Sequence, residues 1–186
     1  MHAHRIRTLG LVVSAGALLA LSGAAAAQST PAFTAYGKSQ KFLGAHIGMS
    51  GVGSTAEYGL NGEVAYNEHI GIGAWADTWS YGQSFGTAIG SYDWNVRYIA
   101  VAGTGAYHFA VKSNPRVDPF AGAALGYYLV STSTNAAGAG AYQGSASRMF
   151  LGGYGGIRYF FKPALSGVAR LGFGSSYLTL GVDYRM

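Results

Sequence analysis

The chain has 186 residues, a formal net charge of +5 at pH 7 and no cysteine. Without cysteine, the protein has no disulfide bonds, thiolate metal ligands or thiol nucleophiles. Only 10% of the residues are charged, against about 25% in a typical soluble domain, whereas 30 residues are glycine and 14 are tyrosine. Because the basic residues are scattered singly along the chain, no nucleic-acid partner is predicted.

The first 27 residues have the three parts of a secretory signal peptide. A basic start is followed by an apolar run from Leu9 to Leu21, and Ala25 and Ala27 then form a small-x-small cleavage site. The apolar run is shorter than the ~20 residues of a membrane-spanning helix, and no later stretch is continuously apolar over that length. We therefore predict that the chain is exported and that residues 1–27 are its signal peptide.

Beyond the cleavage site, the chain divides into a lead-in and a domain with β-type alternation. Residues 28–39 are small and polar and are predicted to form a flexible lead-in. Residues 40–186 are the predicted barrel domain, because segments with a two-residue period recur along them. The breaks between these segments are tight turns at 67–69, 113–116 and 162–164, and longer or more variable loops at 50–57, 82–93, 132–147 and 174–176. The predicted strands are 40–49, 58–66, 70–81, 94–109, 117–131, 148–160, 165–173 and 177–186.

The two kinds of break alternate along the chain, so all tight turns lie at one end of the predicted sheet and all variable loops at the other. Membrane-spanning barrels have this asymmetry together with an even number of strands. The predicted fold class is therefore all-β, an eight-stranded antiparallel up-and-down transmembrane β-barrel. We also expect the last strand to pair with the first, because no backbone group can stay unpaired in lipid.

The composition of each strand face predicts which one meets lipid. In the second strand Tyr58, Leu60 and Val64 alternate with Asn61 and Glu63. A water-facing exterior would be about a quarter to a third charged, whereas the polar faces here are mostly Gly, Ser, Thr and Asn. We therefore predict that the apolar faces point outward into lipid. Aromatic residues that are expected to form two interfacial belts are Tyr58, Trp79, Tyr81, Trp94 and Tyr177 near the loop end, and Tyr66, Tyr159, Phe161 and Tyr184 near the turn end.

Two segments carry a family resemblance. "VDPFAGAALGYYL" (Val117–Leu129) resembles the fifth-strand signature of small eight-stranded outer-membrane barrels of the OmpA, OmpX and opacity-protein type. "YLTLGVDYRM" resembles the C-terminal assembly signal of that family, although the family usually ends in Phe or Trp rather than Met. The resemblance covers residues 41–186 and implies recognition by the barrel-assembly machinery. The residues of this predicted signal are Leu178, Leu180, Val182, Tyr184 and Met186.

Charged residues on the polar faces are the candidate functional residues of the interior. Asp77 and Arg97 flank the same long loop, and several others lie near the turn end. Two interpretations stay open, a selectivity constriction or gate and a structural core of ion pairs. We favour the structural core, because eight strands enclose too little space for an aqueous channel. The predicted interior charge network is Glu63, Asp77, Arg97, Asp118, Arg148, Arg158, Arg170, Asp183 and Arg185.

Three histidines follow the predicted signal peptide, His46, His69 and His108. Hydrolysis or acyl transfer needs a nucleophile, a base and an orienting acid within hydrogen-bond reach. His46 is expected to face inward near Asp183 or Glu63, yet no nucleophile accompanies any of the three. The sequence therefore predicts no catalytic residues. It also shows no metal-ligand spacing and no phosphate-binding motif, so no metal ion and no cofactor are predicted.

The expected function is that of an integral outer-membrane protein in a Gram-negative cell envelope. It has a closed polar interior and a structural or surface-interaction role, such as envelope integrity or adhesion. The expected partners are outer-membrane lipid, lipopolysaccharide and a host or matrix ligand at the exposed loops. The first alternative is a porin-like channel for small solutes or hydrophobic molecules, of the OmpW type. The second is a lipid A-modifying enzyme.

Overall fold

The computed structural model describes residues 33–87, 90–134 and 143–186. The predicted signal peptide, residues 1–27, lies outside the described residues. None of the described residues forms a helix long and apolar enough to cross a membrane. The strands in these ranges are β1 (Lys41–Ser50), β2 (Ala56–Ala65), β3 (Ile70–Thr87), β4 (Gly90–His108), β5 (Val117–Thr134), β6 (Gln143–Lys162), β7 (Leu165–Phe173) and β8 (Ser176–Arg185).

The strands form one closed antiparallel barrel in which each strand pairs with its neighbours in sequence. The seam joins β1 to β8, with Leu43 opposite Tyr184 and Ile47 opposite Leu180. Closure leaves the sheet without a free edge at this seam, so backbone donors and acceptors find partners within the barrel. The prediction of an eight-stranded antiparallel up-and-down barrel, with its last strand paired to its first, is confirmed.

Side chains alternate between an exposed apolar exterior and a buried polar interior. In β2, Leu60 is 62% exposed and Val64 is 46% exposed, whereas Asn61 is 7% exposed. This pattern is the inverse of a water-soluble barrel, which buries its aliphatic face. Aliphatic side chains on the exposed face include Leu43, Ile47, Ile72, Val101, Leu125, Leu129, Leu151, Ile157, Leu171, Leu180 and Val182.

The loop predicted at 82–93 was largely wrong, because strands occupy 82–87 and 90–93, and the loop predicted at 132–147 was wrong for 132–134 and 143–147, which are also strand. β3 continues to Thr87 and β4 begins at Gly90, with Gly82 opposite Asn95. β5 continues to Thr134 and β6 begins at Gln143; residues 135–142 lie outside the described ranges. Hairpin pairing satisfies the backbone of these Gly- and Ser-rich segments, so their weak strand propensity is overridden. β3 to β6 therefore extend beyond the other four strands at the loop end, and we call this four-stranded part the extension.

The part of the lead-in that the structure describes is packed against the turn end of the barrel, contrary to the predicted flexibility. Ala35 and Tyr36 are buried. The Ser39 amide donates to the Ala65 carbonyl at 2.9 Å, and the Ala65 amide donates to the Gln40 carbonyl at 2.8 Å. Residues 33–40 thus form a short cover over the turn end, which we call the N-terminal cover.

The predicted loop-end aromatic belt was wrong for three residues, of which Trp94 has the inward parity of the buried Val96 and Ala100 in β4. Trp79 and Tyr81 lie on the inward face of β3, and Trp79 is only 3% exposed. Trp79 stacks on Tyr98 with ring centroids 5.1 Å apart and meets Tyr128 edge-on. Trp79 and Tyr81 face inward because side chains alternate along β3 and both residues have the same parity as Asp77, which is also buried. At the turn end, Tyr66, Tyr159, Phe161 and Tyr184 are exposed as the prediction required.

Candidate functional site

The turn-end half of the lumen is organised around the guanidinium of Arg158, which is 1% exposed. Its Nε donates to Asp183 Oδ2 at 2.9 Å, and one terminal nitrogen donates to Asp118 Oδ2 at 2.8 Å. A third carboxylate, from Glu63, lies 3.5 Å away. Arg170 approaches Asp183 from β7 at 3.7 Å. One arginine on β6 therefore joins carboxylates from β2, β5 and β8 across the whole lumen.

His108 completes this group from β4. Its Nδ1 lies 2.8 Å from Asp118 Oδ1, and its Nε2 lies 3.4 Å from Glu63 Oε1. The three carboxylates face the two arginines and His108, so the charges balance when His108 is protonated. The turn-end network is defined here as Glu63, His108, Asp118, Arg158, Arg170 and Asp183.

Aromatic rings cover the turn-end network on its outer side. The Arg158 guanidinium lies over the Phe42 ring, 4.1 Å from its centroid. Tyr36 of the N-terminal cover stacks on His108 with centroids 3.6 Å apart and planes 6° apart. Burial of the Tyr36 phenol raises its pKa above the ordinary value, so this residue stays uncharged over a wide pH range. The packing closes the lumen at the turn end.

The loop-end half of the lumen contains a second polar group, built on His46 of β1. His46 Nε2 lies 2.8 Å from Asp77 Oδ1, and His46 Nδ1 lies 3.2 Å from Asn61 Oδ1. Asn61 Nδ2 in turn donates to Asp183 Oδ1 at 3.0 Å, which connects this group to the turn-end network. Sequence reasoning expected Asp183 or Glu63 beside His46, whereas the structure places Asp77 and Asn61 there.

Glu57 lies close to His46 and Asp77. Its ligand oxygen, a nitrogen of His46 and an oxygen of Asp77 all lie within 4.8 Å of one another, and the three residues are buried. Glu57 is fully buried, and neither carboxylate oxygen has a hydrogen-bond partner of good geometry, although the Ser176 side chain acts on it as a weak hydrogen-bond donor. We define the loop-end cluster as His46, Glu57 and Asp77.

Inward glycines make room for both polar groups. A Cβ at Gly59 would overlap His46 Nε2 and Asp77 Oδ1. A Cβ at Gly48 would lie 2.9 Å from a Glu57 oxygen, closer than real Cβ contacts come. Each of these two glycines therefore leaves space that side chains from neighbouring strands occupy.

The placement of Arg97 in the interior was wrong. Arg97 is exposed on the outward face of β4, whereas the neighbouring inward positions Val96 and Ala100 are buried. β4 carries apolar residues on both faces, so its few polar residues did not show which face points inward, and Arg97 was assigned to the wrong face. Arg97 lies in a row of exposed polar residues with Ser80 and Ser131 as its strand neighbours, above the aliphatic exterior. A guanidinium at this level is clear of the aliphatic band.

Two other arginines of the predicted network lie at the rims of the barrel. Arg148 is opposite Tyr128 at the loop end and is exposed. Arg185 lies at the turn end, where it donates to the Thr34 carbonyl at 2.8 Å and covers the rings of Phe33 and Phe160. Within the described residues neither forms an ion pair. Asp77 is buried in the loop-end cluster rather than paired with Arg97.

Sequence reasoning missed three residues of these groups, Glu57, His108 and Tyr36. Glu57 was placed in a loop, although it shares odd-numbered parity with Asn61 and Glu63 and could have been assigned to the inward face of β2. His108 was considered only as a catalytic base and was not included in the predicted interior charge network. No sequence signal marks the packing of Tyr36, because residues 33–40 lack any periodicity.

A third layer of the lumen is aromatic. Trp79, Tyr98, Tyr128 and Phe150 pack together above the loop-end cluster, and Ala100 and Ala124 beneath them are almost fully buried. The Tyr128 hydroxyl donates to the Gly174 carbonyl at 2.6 Å. The described interior is therefore occupied along its length by the N-terminal cover, two polar groups and this aromatic cluster, apart from a cavity of about 30 Å³ beside His46 and Asp77.

Comparisons with known proteins agree with this architecture. No protein-family model matches the sequence, and no curated protein matches it significantly. Among solved structures, the N-terminal β-barrel domain of OprF from Pseudomonas aeruginosa superposes with a TM-score of 0.59, at 15% identity over 81% of this chain and 99% of that one. The chain has the fold of the small eight-stranded outer-membrane barrels.

Two further solved structures have the same fold. The outer-membrane protein OprG from Pseudomonas aeruginosa gives a TM-score of 0.55 at 10% identity, covering 82% of this chain and 99% of that one. Ail, the attachment invasion locus protein of Yersinia pestis, gives a TM-score of 0.52 at 14% identity, covering 80% of this chain and 99% of that one. These similarities confirm the family resemblance of the sequence at the level of the fold.

Proposed function

We propose that the chain is an integral protein of the bacterial outer membrane, with its aliphatic exterior against lipid acyl chains and lipopolysaccharide. Leu151 is 71% exposed and Leu171 is 66% exposed. In water such surface costs about 25 cal/mol per Å², and this cost disappears in a bilayer. The exposed polar row that contains Arg97 and Ser131 bounds the aliphatic band at the loop end, and the exposed tyrosines bound it at the turn end.

The proposed role is structural or surface-interacting, and the single observation that carries it is the filled lumen. Arg158 joins three strands through buried carboxylates, Tyr36 stacks over the turn end, and Trp79 lies in the aromatic layer above. An eight-stranded barrel leaves an interior only wide enough for side chains. We therefore propose that the charges of the turn-end network hold the barrel together and do not line a conducting path.

The decisive experiment measures conductance of the refolded chain in planar bilayers, with heat-modifiable gel mobility as the check of folding. The expected result is a folded, heat-modifiable species that produces no reproducible channel steps. Steady single-channel steps from the folded species would contradict the sealed lumen and support the OmpW-type channel instead. The matched variant Tyr36→Ala removes the stacked ring of the N-terminal cover and shows whether a leak, if seen, passes through the turn end.

The extension is the surface proposed for contacts with a host or matrix partner. It lies beyond the aliphatic band and exposes small polar side chains such as Ser131, Ser133 and Ser145. Ail, which shares the fold, has been crystallised with the heparin analogue sucrose octasulfate. Shortening the β3–β4 and β5–β6 hairpins should abolish cell or matrix adhesion while the barrel keeps its heat-modifiable mobility. Unchanged adhesion would leave only the structural role.

An enzymatic role receives no support from the geometry of His46. Both ring nitrogens already face side-chain oxygens, from Asp77 and Asn61, so neither is directed at a hydroxyl nucleophile. We therefore propose that the protein is not a lipid A-modifying enzyme. An altered lipid A profile in cells that express the wild-type chain, lost in His46→Ala, would contradict this proposal.

The last strand is the proposed signal for the barrel-assembly machinery. Leu178, Leu180, Val182 and Tyr184 are all exposed on the outward face of β8, and the Met186 amide donates to the Lys41 carbonyl at 2.9 Å across the seam. Tyr184→Ala should slow assembly by the purified machinery but not spontaneous refolding. Tyr159→Ala, another exposed tyrosine at the turn end, is the matched control and should affect neither. Equal assembly rates for both variants would contradict the proposal.

A further inference from the structure

We propose that His46, Glu57 and Asp77 form a binding site for a divalent transition-metal cation, such as Zn²⁺, inside the loop-end half of the lumen. The three residues come from β1, β2 and β3, and their ligand atoms lie within 4.8 Å of one another. Zinc bonds to imidazole nitrogen and carboxylate oxygen are about 2.0–2.2 Å long, which holds such ligand atoms about 3–4 Å apart. Small side-chain rotations therefore bring the cluster to metal-binding distances.

The unpartnered carboxylate of Glu57 is the strongest indication of a ligand. Glu57 is 0% exposed, and both of its oxygens lack a hydrogen-bond partner. The Thr179 hydroxyl, on the adjacent β8, is also buried without a partner. Buried carboxylates are paired, hydrogen-bonded or bound to metal, because an isolated one is very costly. A cation beside Glu57 removes this cost.

The hydrogen bonds of His46 fit a metal ligand. The amide nitrogen of Asn61 donates to Asp183, so its oxygen is the atom that faces His46 Nδ1. His46 therefore donates through Nδ1–H, and its Nε2 carries the free lone pair in the neutral imidazole. Metal-bound histidines commonly show this arrangement, in which the second nitrogen donates to an oxygen. The contact of Nε2 with Asp77 Oδ1 at 2.8 Å is a hydrogen bond in the metal-free chain, and a cation that binds Nε2 displaces the proton of this bond.

No arginine or lysine side chain of the described residues forms an ion pair with the carboxylate of Glu57 or Asp77. Within the described residues, the only ion pair of Asp77 is with His46, and Glu57 has none. Arg170 borders the same cavity, but its ion pair is with Asp183. When the ligands are deprotonated, as metal binding requires, the two carboxylates and the neutral imidazole carry a charge of −2, which one divalent cation balances.

Space for a cation and its water is present beside the cluster. A cavity of about 30 Å³ is lined by His46, Asp77, Ser176 and Thr179. A single water needs about 10–15 Å³ by the same measure. Gly59 and Gly48 keep the approach between the three ligands clear, since a Cβ at either position would collide with a ligand oxygen.

The ligand set favours a transition metal over calcium or magnesium. One imidazole and two carboxylates suit Zn²⁺, Fe²⁺ or Mn²⁺, whereas Ca²⁺ and Mg²⁺ prefer oxygen ligands alone. Water and the Thr179 hydroxyl are available for the remaining positions of the coordination shell.

The test is a titration of the untagged, refolded chain in detergent with Zn²⁺ by isothermal calorimetry. We expect saturable binding of one ion per chain at this site, weakened at least tenfold by Glu57→Gln and by Asp77→Asn. The matched controls are Glu68→Gln and His69→Gln, which change a carboxylate and an imidazole in the β2–β3 turn and should leave this binding unchanged. Heat-modifiable mobility verifies the fold of every variant.

Three results would overturn the proposal: no saturable binding to the folded wild-type chain, binding that is equally strong in Glu57→Gln and Asp77→Asn, or a loss that is equally large in Glu68→Gln. Binding that persists in both cluster variants would come from other residues. If one cluster variant does not fold, the other decides. As an independent readout, Co²⁺ bound to the wild-type chain should show visible absorption bands that Zn²⁺ displaces, and their absence would also contradict the site.

Discussion

The two halves of the lumen both bury carboxylates, but they compensate them differently. In the turn-end network every carboxylate meets a cationic partner, and Arg158 alone contacts three of them. In the loop-end cluster, Glu57 has no hydrogen-bond partner and Asp77 meets only His46. The barrel therefore uses buried charge in two ways. The carboxylates of the turn-end network are compensated by its own cations, whereas those of the loop-end cluster are compensated only when a further positive charge is added.

The largest effect is expected from removing the centre of the turn-end network. Arg158→Met leaves three buried carboxylates without their main partner, and breaking a buried ion pair typically costs about 3–5 kcal/mol. The free energy of unfolding, from urea titrations of the barrel in phospholipid vesicles, should fall by at least this amount. Arg148→Met changes an exposed arginine of the same strand and should stay within about 0.5 kcal/mol of the wild type. Equal losses would contradict the central role of Arg158.

A carboxylate-to-amide change made in each half tests the comparison directly. Asp118→Asn removes an acceptor of Arg158 and His108 and should cost about 3 kcal/mol. Glu57→Gln removes a buried charge that has no ion-pair partner and, with metal removed by EDTA, should raise the free energy of unfolding rather than lower it, because an unpaired buried carboxylate is costly. The measurement is again urea unfolding in vesicles. A larger loss for Glu57→Gln than for Asp118→Asn would reverse the assignment of the two halves.

A moderate effect is expected from filling the space above an inward glycine. Gly59→Ala places a methyl group against His46 and Asp77, and overpacking of this kind typically costs about 1–3 kcal/mol. Gly103→Ala is the matched control, because a Cβ there meets nothing within 4 Å. The same unfolding assay compares them, and equal stabilities would show that the loop-end cluster rearranges freely.

The smallest effect is spectroscopic and tests the orientation of the tryptophans. Trp75 and Trp79 lie on the inward face of β3, away from the aliphatic exterior. The third tryptophan, Trp94, has the inward parity of Val96 and Ala100 in β4 and lies in the extension, beyond the aliphatic band. Brominated acyl chains should therefore quench the intrinsic fluorescence only weakly. Introducing Leu151→Trp, at an outward position that is 71% exposed, should add a strongly quenched component. Strong quenching of the wild-type chain would contradict the inward orientation and would support the outward position that the sequence predicted for Trp79.

The sequence was most informative where one strand face is aliphatic and the other is polar. β2 and β8 have this contrast, so the outward and inward residues of both strands could be predicted, and closure of the seam followed from the need to pair every backbone group in lipid. β4 is apolar on both faces because the narrow lumen accepts alanine, and Arg97 was consequently assigned to the wrong face. The two-residue period alone does not show which face of a strand points inward when small residues fill the interior.

The interior contacts could be predicted only in part, because they depend on which strands meet across the lumen. Asp118, Arg158 and Asp183 were placed inward from alternation, but their mutual distances follow from barrel closure and stagger. Glu57 was hidden in a segment that looked like a loop. The packing of Tyr36 on His108 arises from tertiary contact alone, and no local pattern encodes it.

The most direct test of the account measures what surrounds the exterior. Nitroxide labels at Leu60, Leu125 and Leu151 of the refolded barrel in lipid vesicles should collide often with oxygen, which dissolves in the bilayer, and rarely with a water-soluble nickel complex. Labels at Ser131 and Ser145, beyond the aliphatic band, should show the opposite. High nickel accessibility at the three leucine positions would contradict the claim that this face of the barrel lies in lipid.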